Sequence, residues 1–283
     1  MLSPAKISEI EQEATQQRNN CGITSPFVDP NVIAASAGIT VMEKGDCALG
    51  VSGVLVKSGD NFGIMYSTRI NNEGYQRFSI AHELGHYFLP DHPEKVIKDG
   101  VHSSHAGYAV DDTCEREADY FATCLLMPKE LFRRESFKHA DGLAAVKALS
   151  ATFKTSMIAT AIRHAELSKS HLAIIVSSGG IINFSFCSKS MRDIGGISLP
   201  RKGQSLPKSS GTLLLNRNPD EFGNECANDA HLQDWLGGHK KIAAQEEAIT
   251  LGEYGRTLTI LTLQDDPEDE EDSSDEWEPP RFR

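Results

Sequence analysis

His82-Glu83-x-x-His86 sets two histidines four residues apart with a glutamate directly after the first, a combination of residue types and spacing that does chemistry. On a helix, positions four apart stand one above the other on the same face. His82 and His86 would then aim two imidazoles at one metal ion, and Glu83 beside them would take a proton from a water at that ion. This is the chemistry of metal-assisted peptide hydrolysis. The flanking Phe78, Ile80, Ala81, Leu84, Gly85 and Phe88 are apolar or small nearly all round, as in a buried helix. Three ionisable groups inside such a helix need a partner, and a metal ion supplies one.

A catalytic site of this kind takes three protein ligands and keeps one position open. Glu115 is a candidate for the third, in Glu115-Arg116-Glu117-Ala118-Asp119-Tyr120-Phe121-Ala122. On a helix Glu115 and Asp119 share a face, so Asp119 would hold the free N–H of a ligand histidine. Ala118 and Ala122 are small enough to let that helix approach the first. His92 competes, because its distance from His82 matches H-E-x-x-H-x-x-G-x-x-H, although Leu89-Pro90 stands where that pattern has its glycine. Glu117 is a further alternative. Asp112-x-x-Glu115 also fits a capping box, in which Glu115 would only bond the helix start. His102, His105, Tyr87 and Tyr108 are candidates for steadying an oxyanion, and Cys114 adjoins the proposed ligand.

The surrounding elements follow from caps and periodicity. Ser3-Pro4 starts a helix running to about residue 19, and Asp29-Pro30 starts a short one over 32–37. Strands are expected over 39–42, 53–57 and 63–67, the last two joined by Ser58-Gly59-Asp60-Asn61. The metal-site helix should run from about Gly74 and stop at Pro90. A polar loop then leads to a helix over 113–127, another from Pro128, and a helix pair over 141–150 and 155–167. Beyond Ser170 the pattern changes to strands over 171–176, 181–186, 212–215 and 257–263, with one helix near 227–236.

Of 40 acidic and 28 basic side chains, ten and two lie in residues 265–283, leaving 30 against 26 in the first 264. The folded part is therefore nearly neutral, which gives no electrostatic case for direct nucleic-acid binding. The acidic tail has almost no aliphatics and is expected to be disordered. Six scattered cysteines without a C-x-x-C pair read as free thiols of a reducing compartment. Neither a basic-then-apolar leader nor an apolar run of membrane-spanning length is present, so a cytoplasmic protein without a membrane partner is expected.

Gln76-Arg77-Phe78-Ser79-Ile80-Ala81-His82-Glu83-Leu84-Gly85-His86-Tyr87-Phe88-Leu89, followed by Glu115-x-x-Ala118-Asp119-x-Phe121-Ala122-x-x-Leu125-Leu126-Met127-Pro128, resembles the ImmA/IrrE family of metallopeptidases. The likeness is strong over about residues 5–165. It implies an α+β, zincin-like fold of the gluzincin type, with Glu115 as third ligand beside His82 and His86, and Glu83 as the catalytic base. It also implies zinc, with another divalent ion such as Mn2+ as substitute, and cleavage of a helix-turn-helix repressor in a stress, phage or mobile-element response. By analogy with zincins, the 53–67 hairpin would take the substrate as an extended chain.

The expected domains are 1–168 (peptidase with its C-terminal helix pair), 169–264 (a smaller α+β accessory, sensing or gating) and 265–283 (tail). Two further readings stay open. One is an antirepressor that captures its target around a structural metal. The other is a DNA-binding regulator acting through residues 143–167.

Overall fold

The computed structural model describes residues 2–45, 50–105, 112–217, 222–238, 241–252 and 255–263. Tyr108, the side chain of His105 and the acidic tail, all singled out above, lie outside them. The chain divides into two compact units, one ending at Ser168 and one beginning at Lys169.

In the first unit, Ser3 Oγ accepts the Lys6 N–H and opens α1 (Pro4–Asn20). Asp29 likewise caps α2 (Pro30–Ser36). Then come β1 (Thr40–Lys44), β2 (Val51–Ser58) and β3 (Asn61–Ser67). α3 (Glu73–Phe88) follows, capped by the Asn72 side chain accepting the Tyr75 N–H at 3.0 Å. It ends where Leu89, extended ahead of Pro90, leaves the helical region.

The stretch expected to be a plain polar loop contains two elements: α4 (His92–Val96) and β4 (Val101–His105). Its polar side chains hid a strand whose backbone pairs with β2. α5 (Thr113–Leu126), α6 (Lys129–Ser136), α7 (Leu143–Phe153) and α8 (Met157–Leu167) complete the unit.

The four strands form one sheet in the order β1-β3-β2-β4. β1 runs parallel to β3, whereas β2 is antiparallel to both β3 and β4. The β2–β3 hairpin thus has no free edge for an extended substrate, because β2 is paired on both sides and β3 is covered by β1. Among the described residues the open edges are β1 and β4.

α3 packs against β2 and β3 and also against α5, and α1 packs on α5. Gly85 makes the α3–α5 approach close: a Cβ there would stand 3.0 Å from Ala118 Cα. Around this contact Leu84, Phe121, Ala122, Leu125 and Leu126 are buried with Leu55 and Ile64 of the sheet. Burial of such side chains contributes about 1.5–3 kcal/mol each, so the core fixes the two helices against each other.

The second unit holds β5 (Leu172–Ser178), β6 (Ile181–Cys187), α9 (Lys189–Asp193), α10 (Gly211–Leu215), β7 (Glu225–His231), α11 (Leu232–Leu236), β8 (Ala243–Thr250) and β9 (Arg256–Leu263). Its antiparallel sheet has the order β6-β5-β9-β8-β7. Two expectations fail here. The Thr212–Leu215 run is helical: Ser210 caps it through the Leu213 N–H, and buried Glu246 accepts the N–H of Thr212 at 2.7 Å. The helix expected over 227–236 is only half realised: residues 227–231 belong to β7, and Leu232–Leu236 form the short α11. No helix among the described residues is long and apolar enough to cross a membrane.

Candidate metal centre

His82 and His86 project from one face of α3, their ring centroids 4.8 Å apart and their Nε2 atoms 3.1 Å apart. Glu115, in the first turn of α5, faces both. Its Oε2 is 3.2 Å from His82 Nε2 and its Oε1 is 3.4 Å from His86 Nε2. The three side chains form the one group among the described residues whose ligand atoms could hold a metal ion. Asp112 caps the start of α5, its Oδ1 accepting the Cys114 N–H at 2.7 Å. The Glu115 carboxylate is turned to the histidines instead.

The protonation of these groups shows what the site wants. Burial by itself lowers the pKa of His82, but the carboxylates of Asp119 and Glu115 outweigh it and raise that pKa to about 10. His86 is more deeply enclosed; burial lowers it to about 4 against the pull of Glu115. Burial works on Glu115 in the opposite sense, yet His102, His82 and His86 hold it well below the usual carboxylate range. A carboxylate and two imidazole nitrogens thus converge on one small volume that favours positive charge. That donor set fits a divalent ion, and two histidines with one carboxylate suit zinc.

Glu83 lies immediately beside the group. It is fully buried, and neither carboxylate oxygen has a hydrogen-bond partner among the described residues. Burial pushes its pKa up to about 7, while the neighbouring His82, Ser104 and His102 pull the other way. An unpartnered buried carboxylate is costly. A cation held by the neighbouring group would relieve that cost.

The remaining candidates take distinct places. Asp119 Oδ1 is 2.8 Å from His82 Nδ1, so it accepts that N–H and leaves Nε2 facing Glu115. His92 and Glu117 stand outside the ligand group, paired with each other at 3.0 Å behind His86. His102, on β4, reaches Glu115 Oε1 at 3.0 Å, and Ser104 Oγ lies 3.2 Å from the same Nε2. Tyr87 packs instead on Phe62 and Phe88, with centroids 5.0 and 4.9 Å away. Cys114 is half-buried and outside the ligand group.

Gly53, whose bare Cα makes room for Glu83, carries no signal in the sequence, because no spacing rule links a strand glycine to a helix glutamate. In the helix pair, Arg163 is buried. Its Nη1 donates to Glu166 and its Nε to the Met127 carbonyl, so it offers no charge to DNA.

Comparison with known proteins bears on this geometry. No curated protein matches the sequence. Among solved structures, a Mycobacterium tuberculosis transcriptional regulator shares the fold, with a TM-score of 0.59 over 90% of this chain and 87% of that one at 14% identity. Residues 34–164, which carry every side chain of the group just described, match the family model of the IrrE N-terminal-like domain, Peptidase_M78. Over those residues the chain is similar to the IrrE N-terminal-like domain, a likeness consistent with the ImmA/IrrE family.

Proposed function

We propose that the chain is a metal-dependent endopeptidase of the ImmA/IrrE type, its first unit a zincin-like domain of the gluzincin kind. The observation that carries this reading is Glu83, buried and unpartnered beside two histidines and a carboxylate that converge. His82, His86 and Glu115 would hold the ion, zinc in the first instance and Mn2+ as substitute. When bound, such an ion polarises the scissile carbonyl and makes a water acidic enough to lose its proton near neutral pH.

The chain's own residues do the rest. Glu83 takes the proton of the attacking water and delivers it to the leaving amine. Its buried place beside the ion's ligands suits a group that must first accept a proton and then release it. Asp119 fixes the His82 ring, and His102 braces Glu115 from β4. The exposed edge of β4, which holds His102, is the strand on which we place an extended substrate.

The substrate we assign is a helix-turn-helix repressor, cut in an exposed or locally unfolded segment, because folded helices do not enter a cleft built for an extended chain. Substrate choice or gating is assigned to the second unit, since the first already holds every group the chemistry uses. The free thiols of the described cysteines fit work in the reducing cytoplasm. A purely structural metal would need a fourth protein ligand. His92 has both ring nitrogens engaged elsewhere and Cys114 stands apart, so the geometry favours catalysis over capture.

The test is incubation of the zinc-loaded protein with a purified helix-turn-helix repressor of the same genome. Cleavage that stops with chelator and returns with zinc supports the reading. An intact repressor under both conditions, with the ion bound, opposes it.

A further inference from the structure

His86 does not stand alone behind the site. Its Nδ1 lies 3.3 Å from Nδ1 of His92, and Nε2 of His92 lies 3.0 Å from Oε2 of Glu117. His86 is fully enclosed, His92 is 2% exposed and Glu117 is 9% exposed. Lys6 of α1 reaches the same Glu117 oxygen at 3.9 Å and closes the line. His92 is turned under α3 by Asp91, which adopts the left-handed φ of 64° seldom seen outside glycine, asparagine and aspartate.

The two ends of this line decide where the protons are. A carboxylate accepts hydrogen bonds and donates none, so the His92–Glu117 contact puts the His92 proton on Nε2. When His92 carries that proton alone, its bare Nδ1 accepts. The facing Nδ1 of His86 must therefore be the donor, and its remaining nitrogen, Nε2, is left as a lone pair pointing at Glu115 and His82. With the opposite tautomer at His92, two N–H groups or two lone pairs would face each other, or His86 would carry its proton where an ion must bind.

We propose that His92 and Glu117 are positioning residues: Glu117 sets the tautomer of His92, and His92 sets the tautomer of His86 and so prepares its Nε2 for the metal. The proposal rests on the metal reading above. It makes α5 the source of orientation for both histidines, since Asp119 serves His82 directly and Glu117 serves His86 through His92. α5 thus supplies the carboxylate ligand, the partner of His82 and the carboxylate behind His92, while His92 itself stands on α4.

The experiment is a zinc titration of full-length metal-free protein against a chromophoric chelator. It compares wild type, His92→Phe, Glu117→Leu, Glu117→Gln and the His92→Phe/Glu117→Leu double variant, each checked for folding by circular dichroism. Nitrogen chemical shifts of His86 in the same samples report its tautomer. Loss of an orienting partner typically weakens metal binding by about 10–100-fold, and His92→Phe should fall in that range with a mixed His86 tautomer.

Glu117→Leu should weaken binding in the same direction. Glu117→Gln keeps an oxygen that can accept the His92 N–H and should recover part of the loss. The double variant should be no worse than His92→Phe alone, because Glu117 acts only through His92. Independent, additive losses with an unchanged His86 tautomer would overturn the proposal and reduce both residues to packing. So would a His92→Phe protein that binds zinc like wild type. Wild-type protein that binds no zinc, or binds it equally after Glu115→Ala, overturns the proposal together with the metal reading. Failure of the relay alone is the case in which wild type binds at Glu115 and the His92 variant matches it.

Discussion

The carboxylate of Glu83 rests against the bare backbone of Gly53: a Cβ at residue 53 would stand 2.4 Å from Oε1 and 3.0 Å from Cγ of Glu83. Strand β2 thus sets the position of Glu83, the base we propose, through an absent side chain. The atom in the way is the end of a flexible glutamate, so Gly53→Ala should leave the fold intact and displace the carboxylate instead. A displacement of about 1 Å at a reacting group is enough for a loss of the order of 100-fold in rate. Peptide cleavage by Gly53→Ala is expected to fall by about that factor, with bound zinc and thermal midpoint close to wild type. Full activity in this variant would mean that Glu83 does not act from the position seen here.

Metal affinity should rank the carboxylates of α5 by what they touch. Glu115→Ala removes a ligand and should weaken zinc binding more than any other single change in that helix. Asp119→Asn keeps a side chain that can still accept the His82 N–H, and its loss should be at most the about 10–100-fold typical of an orienting partner. Dissociation constants of the two variants, taken by chelator competition, decide it. An Asp119→Asn defect equal to that of Glu115→Ala would place Asp119 on the metal.

Zinc binding should also release protons in a way that identifies His82. In the metal-free protein His82 has a pKa of about 10 and is charged at pH 7, whereas His86, at about 4, is neutral and Glu115 is ionised. A ligand imidazole must be neutral, so binding expels the His82 proton. Mass action then makes the apparent affinity rise with pH above 7, by up to about tenfold per unit, and level off near pH 10. Calorimetry at pH 7 in buffers of different ionisation enthalpy should show about one proton released from this group, and none from it in His82→Ala. Proton release unchanged in that variant would contradict the assignment.

Much of the site was legible because its signals are local. His82, Glu83 and His86 lie within five residues on a helix whose apolar flanks announce burial and which Pro90 closes. The pairing of Glu115 with Asp119 follows from the same helical spacing. The misread elements are those in which tertiary pairing overrides local preference. The helix expected near 227–236 begins inside a strand, Glu225–His231, that pairs along its whole length with β8.

β8 itself, Ala-Ala-Gln-Glu-Glu-Ala-Ile-Thr, is rich in helix formers. It is a strand because β7 and β9 flank it. Val101–His105 is polar enough to read as loop, and only its register with β2 reveals β4 and brings His102 to Glu115. The Leu213–Leu215 run reads as strand until the caps at its start, Ser210 and Glu246, are seen together, and Glu246 is remote in sequence.

The central claim, that Glu83 is the base of a metal peptidase and not one of its ligands, is tested most directly by Glu83→Gln. The glutamine keeps the volume of the side chain and removes its ability to take a proton. Cleavage of the repressor and zinc content should be measured on the same purified sample. The account predicts cleavage reduced by about 100- to 10,000-fold with zinc bound in the same amount and folding unchanged. Wild-type cleavage by the zinc-loaded variant, or loss of the zinc with the activity, would contradict it.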